Sequence, residues 1–483
     1  MNIQNELAHS TPEAQGVSSL ALYAFIEAIE ANQLELHSWM LLRHGVVVAE
    51  GWWSPYRAEH PHLLNSVSKS FTSTAIGLAV AEGRLSIDDT VMSFFPSSAP
   101  DDMNENLPAL RIKHLLSMST GHAEDTISVL LSRTDGDWIR AFLGVPIRYT
   151  PGTHFIYNSG ATYMLSAILQ KITGMSLLDY LQPRLLTPLG IANANWDTSP
   201  QGIQMGGWGL SITTEAIARF GQLYLQKGLW NGQQIVPTAW IEEATAYQVS
   251  TVSNTSSDWQ QGYGYQFWRC QDGAYRGDGA FGQYCIVMPD QEAVLAITGS
   301  VYDMQAVLNL VWKHIKPGIQ AAPPLPEQPE AAHQLTHKLD SLHIDPPIGE
   351  AITSIAQVVS GKLYMLEVNS LALESIRLDF SASDCNITLR ETTEKYHEHH
   401  LVCGILAWQQ GTLTLFGDYS RLVASGAWIQ DDTFEMTLRF YETSAVYIIR
   451  FYFVENNLTV TITAEYVLNG RAYHLRGVAP ATK

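Results

Sequence analysis

The sequence predicts an α+β domain followed by an antiparallel β-barrel domain, and three observations lead there. Strand signals stand at both ends of the first 316 residues. Helical periodicity fills the span between them. Strict apolar–polar alternation takes over beyond a proline-rich stretch. With 483 residues, 46% of them hydrophobic and 16% charged, the chain has the material for two folded cores and lacks the composition of a disordered one.

Trp39-Met40-Leu41-Leu42 and Val46-Val47-Val48-Ala49 flank Arg43-His44-Gly45, which reads as a hairpin with a tight turn. Phe71, Ala75, Leu78 and Ala79 fall at i, i+4, i+7 and i+8 and form one helical face, and Gly83 is placed to end that helix. Tyr163, Leu165, Ile168 and Leu169 mark another helix. Gly264 to Cys270, Phe281 to Met288 and Ala293 to Gly299 read as three strands, the last two joined at Pro289-Asp290-Gln291. Strands at both ends with helices between them predict one antiparallel sheet closed by the chain ends, carrying a helical insertion.

Pro317, Pro323, Pro324, Pro326 and Pro329 make residues 317–334 a semi-rigid linker between a domain over 1–316 and one over 335–483. In the second domain Ile376, Leu378 and Phe380 interleave with Arg377 and Asp379. Phe434, Met436, Leu438 and Phe440 interleave with Glu435, Thr437 and Arg439, and Leu458, Val460 and Ile462 with Thr459 and Thr461. Each segment buries one face only, the pattern of a small antiparallel barrel or sandwich. The chain has no internal repeat.

A net charge of −19 repels phosphate backbones and anionic lipid, so neither nucleic acid nor a membrane is an expected partner. No apolar stretch has the length of a membrane span. Met1 to Glu6 lacks the basic start and apolar run of a secretory signal, and for a chain that begins at its native Met1 the expected compartment is the cytoplasm. Cys270, Cys285, Cys385 and Cys403 form neither a disulfide framework nor a CxxC pair and are expected as small buried thiols. His397, Glu398, His399 and His400 have the residue types of a metal site but read as a polar hairpin tip. No metal and no cofactor is expected.

There is no GxSxG elbow, HExxH, Walker loop or dinucleotide-binding glycine fingerprint. Ser66-Val67-Ser68-Lys69 is the one Ser-x-x-Lys in the chain. Asn65 can cap the helix that follows, which places Ser66 where backbone N–H groups lack partners. The i, i+3 spacing puts the Lys69 ammonium on the face of the Ser66 hydroxyl. A serine hydroxyl needs a neighbouring base, and a lysine serves as one when burial and positive potential lower its pKa. The same four residues also suit a capped helix whose lysine points to solvent. Downstream, Thr150 to Gly160 contains Tyr157, either a phenol that passes protons near Ser66 and Lys69 or a tyrosine of the core. Arg276-Gly277-Asp278-Gly279-Ala280-Phe281-Gly282 has three glycines that let a backbone approach a substrate, or that make an ordinary hairpin turn.

Taken in order, these three segments resemble the family of class C β-lactamases, low-molecular-weight penicillin-binding proteins and related esterases and D-aminopeptidases. Leu64 to Thr72 with Gly83 to Asp89 resembles the family's nucleophile helix and its following turn. Ile112 to His122, Pro151-Gly152 through Gly160, Pro188 to Ile191 and Gly207 to Thr214 continue the likeness, which extends over residues 10–316. The resemblance implies a class C β-lactamase-like antiparallel sheet with a helical insertion and a serine hydrolase that forms an acyl-enzyme. By it Ser66 is the nucleophile, and Lys69 and Tyr157 share the proton traffic. The N–H groups of Ser66 and Ala280 hold the oxyanion, and Gly279, Asp278, Ser159 and Asn158 line the substrate. The second domain loosely resembles the lipocalin-like barrels appended to some members, which cover active sites or mediate assembly, so a homo-oligomer is one option.

Two departures matter. Tyr157-Asn158-Ser159 stands where the family often has Tyr-x-Asn, and Gly277-Asp278-Gly279 where it usually has Lys or His before a small residue and Gly. A missing cation counts against carboxylate-bearing substrates, and Arg276, as a strand neighbour of Gly277, is expected on the other face. If Asp278 faces the pocket, it favours a neutral or amine-bearing ester, amide or peptide, a small molecule or short peptide. A true β-lactamase or penicillin-binding D,D-peptidase, and a catalytically silent binding or assembly module, are the alternatives.

Overall fold

A computed structural model describes residues 7–101, 103, 105–251, 257–321, 324–392, 398–417, 420–468 and 470–480. It divides into two compact units, one of Met1–Trp52 with Pro61–Ser341, the other of Trp53–His60 with Leu342–Lys483.

The first unit is built on an antiparallel sheet. Its labelled elements are α1 (Ser19–Ala31), β1 (Glu35–Arg43), β2 (Val46–Trp52), α2 (Ser68–Ala81), α3 (Ser159–Thr173), α4 (Thr214–Leu225), β3 (Trp268–Arg269), β4 (Tyr275–Gly279), β5 (Gln283–Met288), β6 (Ala293–Ser300) and α5 (Pro329–Asp340). Among the described residues the sheet has six strands in the order β2-β1-β6-β5-β4-β3, so strands from the two ends of the unit lie side by side. Trp39 pairs with Ile297 and Leu41 with Leu295, the closure by chain ends that the strand signals predict. The β1–β2 turn uses left-handed His44 (φ 51°) and Gly45 (φ 79°), as a two-residue hairpin loop requires.

Both faces of this sheet are buried. On one, Trp39 meets Phe25 of α1 with ring centroids 5.8 Å apart. On the other, Met40, Leu42, Val294 and Ala296 join the core that holds α2, α3 and α4. Gly221 lets α4 lie close against β5 and β6, since a Cβ there would sit 2.5 Å from Val294 Cγ1 and 2.9 Å from Cys285 Sγ. The strand predicted over Gly264 to Cys270 is reduced to Trp268–Arg269. Gln266 interrupts it with φ 66°, its side chain and N–H tied to the carbonyls of Leu115 and Leu116. Part of the proline-rich stretch is helical: α5 packs on α1, and Lys338 pairs with Glu27 at 2.6 Å.

In the second unit, β7 (Leu363–Leu366), β8 (Leu373–Phe380), β9 (Asp384–Glu391), β10 (Glu398–Ile405), β11 (Gln409–Thr412), β12 (Arg421–Gln430), β13 (Thr433–Arg439), β14 (Val446–Val454), β15 (Asn457–Glu465) and β16 (Tyr473–Val478) form one sheet. Nine of these described strands close on themselves, because β10 pairs in parallel with Ser425 and Gly426 of β12, and β11 pairs antiparallel with the preceding residues of β12, Arg421 to Ala424. The alternating residues read from the sequence point inward as expected: Ile376, Leu378, Phe434, Met436, Leu438, Leu458, Val460 and Ile462 are all buried in the barrel core. All four cysteines are free and buried. Among the described residues no helix is long and apolar enough to cross a membrane.

Candidate active site

The segment that presents Ser66 is held in an uncommon conformation. Asn65 adopts φ 48° and opens a short 3-10 turn, Asn65–Val67, ahead of α2. Its side chain does not cap the helix, as the sequence suggested. It donates from Nδ2 to the Ala280 carbonyl at 2.9 Å and so joins the nucleophile segment to the end of β4. Asparagine tolerates left-handed backbone better than most residues. Helix α2 is buried all round, and its polar side chains fasten it to neighbouring loops. Ser68 Oγ donates to Asn65 O at 2.6 Å, Ser70 Oγ to Gln266 O at 2.8 Å, and Thr72 Oγ1 to Gly206 O at 2.8 Å. Ser66 keeps some exposure while its neighbours Asn65 and Val67 are buried.

Lys69 is 1% exposed. Its Nζ donates to Ser66 Oγ at 3.0 Å, to Ser159 Oγ at 3.3 Å and to the Gly207 carbonyl at 2.7 Å. Burial brings its pKa down to about 7, against the opposing pull of the Asp125 and Asp278 carboxylates. The lysine is thus inside, bonded to the serine, and close to half neutral at pH 7. Gly207 leaves the room this needs, since a Cβ there would lie 3.4 Å from Lys69 Nζ and 3.0 Å from Ser159 O.

Tyr157 completes the group. Its hydroxyl is hydrogen-bonded to Ser66, and its ring centroid lies 4.9 Å from Lys69 Nζ. Burial first, and Asp278 second, hold the phenol protonated well above its ordinary pKa. The ring stacks on Trp268 at 5.5 Å and meets Tyr263 edge-on at 6.2 Å, which fixes the hydroxyl in place. Ser159 sits at the first turn of α3, its hydroxyl on Lys69. Asn158 is not brought to the site. It is fully buried, and its Oδ1 accepts from Thr126 Oγ1 at 2.8 Å, Thr126 N at 3.2 Å and Ala161 N at 3.3 Å, which makes it the N-cap of α3.

Gly279 brings β4 against the nucleophile segment: a Cβ on it would stand 2.2 Å from Leu64 O and 3.0 Å from Ser66 N. Ala280 follows directly, its carbonyl held by Asn65 and, at 3.2 Å, by Gln283 Nε2. Asp278 does not present a bare carboxylate. Arg276 shares its strand face, two residues away, and Arg276 Nε donates to Asp278 Oδ2 at 2.9 Å, both side chains being buried. The Trp259 side chain hydrogen-bonds Asp278 as well, and its ring lies under the Arg276 guanidinium at 4.7 Å. Burial raises the Asp278 pKa, with Arg276 and Lys69 opposing the rise.

Sequence reasoning missed Asp125, whose Oδ1 accepts from Ser159 N at 2.9 Å and Ile127 N at 3.0 Å, and whose charge acts on Lys69. Its one sequence signal is an acid just ahead of the apolar run Ile127–Leu131. It missed also that Trp259 and Trp268 wall in Arg276 and Tyr157, contacts between segments far apart in the chain. Among the described residues no group of three or more His, Cys, Asp or Glu could hold a metal ion. His399 is bonded to Glu391 at 2.8 Å, and His397 lies outside the described residues.

Comparison with known proteins places this geometry in context. A family model described as Beta-lactamase matches residues 26–303. The 6-aminohexanoate-dimer hydrolase of Paenarthrobacter ureafaciens is 25% identical over 277 residues, covering 53% of this chain and 71% of that protein. A provisionally named D-alanyl-D-alanine carboxypeptidase of Escherichia coli (strain K12) is 23% identical over 215 residues, 39% of this chain and 50% of that protein. Among solved structures, a provisionally named 6-aminohexanoate-dimer hydrolase from Bacillus anthracis shares the fold with a TM-score of 0.53 at 20% identity, over 69% of this chain and 88% of that one.

Proposed function

This chain belongs to the Beta-lactamase family and is a serine hydrolase, and from that premise we propose that it cleaves an ester or amide bond of a small substrate through an acyl-enzyme on Ser66. The observation that carries the proposal is the buried Lys69, 3.0 Å from Ser66 Oγ with a pKa brought down to about 7. Neutral Lys69 takes the hydroxyl proton as Ser66 Oγ attacks the substrate carbonyl. The Ser66 and Ala280 N–H groups bind the oxyanion of the tetrahedral intermediate. Tyr157, bonded to Ser66, relays the proton to the leaving alcohol or amine as the carbon–heteroatom bond breaks. Water then attacks the acyl-enzyme with the same groups as base, releasing the acid and restoring Ser66.

The two carboxylates acting on Lys69, Asp125 and Asp278, and the pairing of Arg276 with Asp278, favour a substrate without a carboxylate beside the scissile bond. A linear amide fits this, and the 25% identity to an enzyme named for 6-aminohexanoate dimers points the same way. The test is intact mass after incubation with a fluorophosphonate or a penicillin, on wild type and Ser66→Ala. A stoichiometric adduct on wild type that the substitution abolishes supports the proposal, and fast nitrocefin turnover would move the assignment to a β-lactamase. No adduct with either reagent would favour a silent binding module.

A further inference from the structure

The loop after the third motif is Ala280-Phe281-Gly282, which joins β4 to β5 with Gly279 paired to Gln283 at its base. Phe281 sits there at φ 66° and Gly282 at φ 89°. Hairpin loops ordinarily place glycine, asparagine or aspartate at such positions, and an aromatic residue with positive φ persists only where its surroundings hold it. Phe281 is held at both ends. Its ring meets Tyr302 edge-on at 5.9 Å, and its carbonyl accepts from Val301 N at 3.0 Å and from Gln283 Nε2 at 3.2 Å.

Gln283 is the centre of this arrangement. Its side chain is fully buried, and the amide nitrogen reaches three carbonyls, those of Gly299 at 2.8 Å, Ala280 at 3.2 Å and Phe281 at 3.2 Å. Its Oε1 accepts from Gly299 N at 3.2 Å, so the loop is fastened to both backbone groups of one residue of β6. The Ala280 carbonyl takes a second side-chain bond, from Asn65 Nδ2 at 2.9 Å. Asn65 directly precedes Ser66 and is itself left-handed, at φ 48°. A chain of side-chain bonds therefore runs from β6 through Gln283 and Ala280 to the residue before the nucleophile. Ala280 and Ser66 keep some exposure, while Asn65 and Gln283 are buried.

We propose that Gln283 and Asn65 are positioning residues for the oxyanion hole: touching no reacting atom, they hold Ala280 so that its N–H and that of Ser66 converge on one oxygen. The proposal rests on the acyl-enzyme reading above and adds to it what aims the second donor. Such a hole works because its donors are in place before the charge develops, so a displaced donor costs rate rather than binding. The two amides are uncharged, and their loss leaves the titration of Lys69 where it is.

Saturation kinetics of fluorophosphonate labelling test this on the full chain, because the phosphoryl oxygen takes the place of the substrate carbonyl oxygen. Gln283→Met removes the donors and keeps most of the volume. Asn65→Gly keeps the left-handed turn, which glycine adopts freely, and removes the bond to Ala280. Wild type is expected to label at Ser66. The maximal rate, kinact, is expected to fall about tenfold in Asn65→Gly and about 10–100-fold in Gln283→Met, with KI within about twofold. The pH midpoint of about 7 is expected to stay in both. A merely structural role would lower the labelled fraction and the melting temperature but leave kinact unchanged, and that result would overturn the proposal. So would a displaced midpoint, which puts the effect on Lys69, or a rise in KI at constant kinact. If Gln283→Met does not fold, Asn65→Gly decides alone. Labelled wild type with unchanged variants defeats this proposal only, whereas unlabelled wild type defeats the acyl-enzyme reading and this proposal together.

Discussion

If Lys69 is the base, acylation must follow its titration. An ordinary lysine, at 10.5, is almost wholly charged at neutral pH, whereas burial lowers Lys69 to about 7. Roughly one molecule in ten then has the neutral amine at pH 6, half at pH 7 and nine in ten at pH 8. The rate of Ser66 labelling by excess fluorophosphonate, read by stopped mass spectrometry, is expected to climb about tenfold per pH unit below 7 and to level off above about 8. Asp125 opposes the lowering, so Asp125→Asn, which keeps the Oδ1 acceptor for Ser159 N and Ile127 N, is expected to move the midpoint to lower pH and to speed labelling at pH 6. A rate that keeps climbing through pH 9, or one flat from pH 5 to 9, would refute Lys69 as a buried base. So would an Asp125→Asn midpoint displaced upward.

Other outcomes follow from the same contacts. The gap between 10.5 and about 7 means the unfolded chain holds the Lys69 proton more tightly, so a burden of about 5 kcal/mol is present below pH 7 and fades as pH rises toward 10.5. Lys69→Met is therefore expected to abolish labelling yet raise the melting temperature at pH 6, by about 2 kcal/mol of stability once the loss of the Gly207 carbonyl's partner is counted; a lowered melting temperature would contradict this. Gly279→Ala places a Cβ against Leu64 O and Ser66 N, and by displacing β4 from the nucleophile it is expected to slow labelling about 100-fold with the fold retained by circular dichroism. Asp278→Ala strands a buried Arg276 and is expected to destabilise by about 3–5 kcal/mol in urea unfolding, whereas a change under 1 kcal/mol would show the pair is not buried as described.

The sequence carried the frame of the fold well, because both signals involved are local. The hairpin at His44-Gly45 and the inward residues of β8, β13 and β15 are periodicities that each segment shows by itself. The site was legible in its three motif segments and much less so in what joins them. Asn158 stands inside one motif yet acts as a helix cap, a role decided by Thr126, 32 residues away. Asn65 looked like a cap and instead bonds Ala280 across the fold. Whether Lys69 faced solvent or core depended on Gly207, Ser159 and the packing round α2, none of which is within helical reach of it in sequence. Asp278 was visible as a charge, but its neutralisation by Arg276 required knowing that the two residues share one face of a true strand.

That neutralisation bears directly on how a lysine base and an acid coexist here. An unpaired buried carboxylate near Lys69 would stabilise the ammonium form and push its pKa back toward the ordinary range. Asp278, although paired with Arg276, still pulls Lys69 toward its charged form, but burial of the lysine is the larger effect and its pKa falls to about 7. Arg276 in turn lies over the Trp259 ring, with the Arg269 carbonyl accepting from its Nη1 at 3.3 Å. Removing the guanidinium while leaving the carboxylate would therefore strand Asp278 in the core. The acid at the third motif is compatible with serine chemistry because the burial of Lys69 outweighs its pull. The arginine two residues upstream keeps that acid paired in the core.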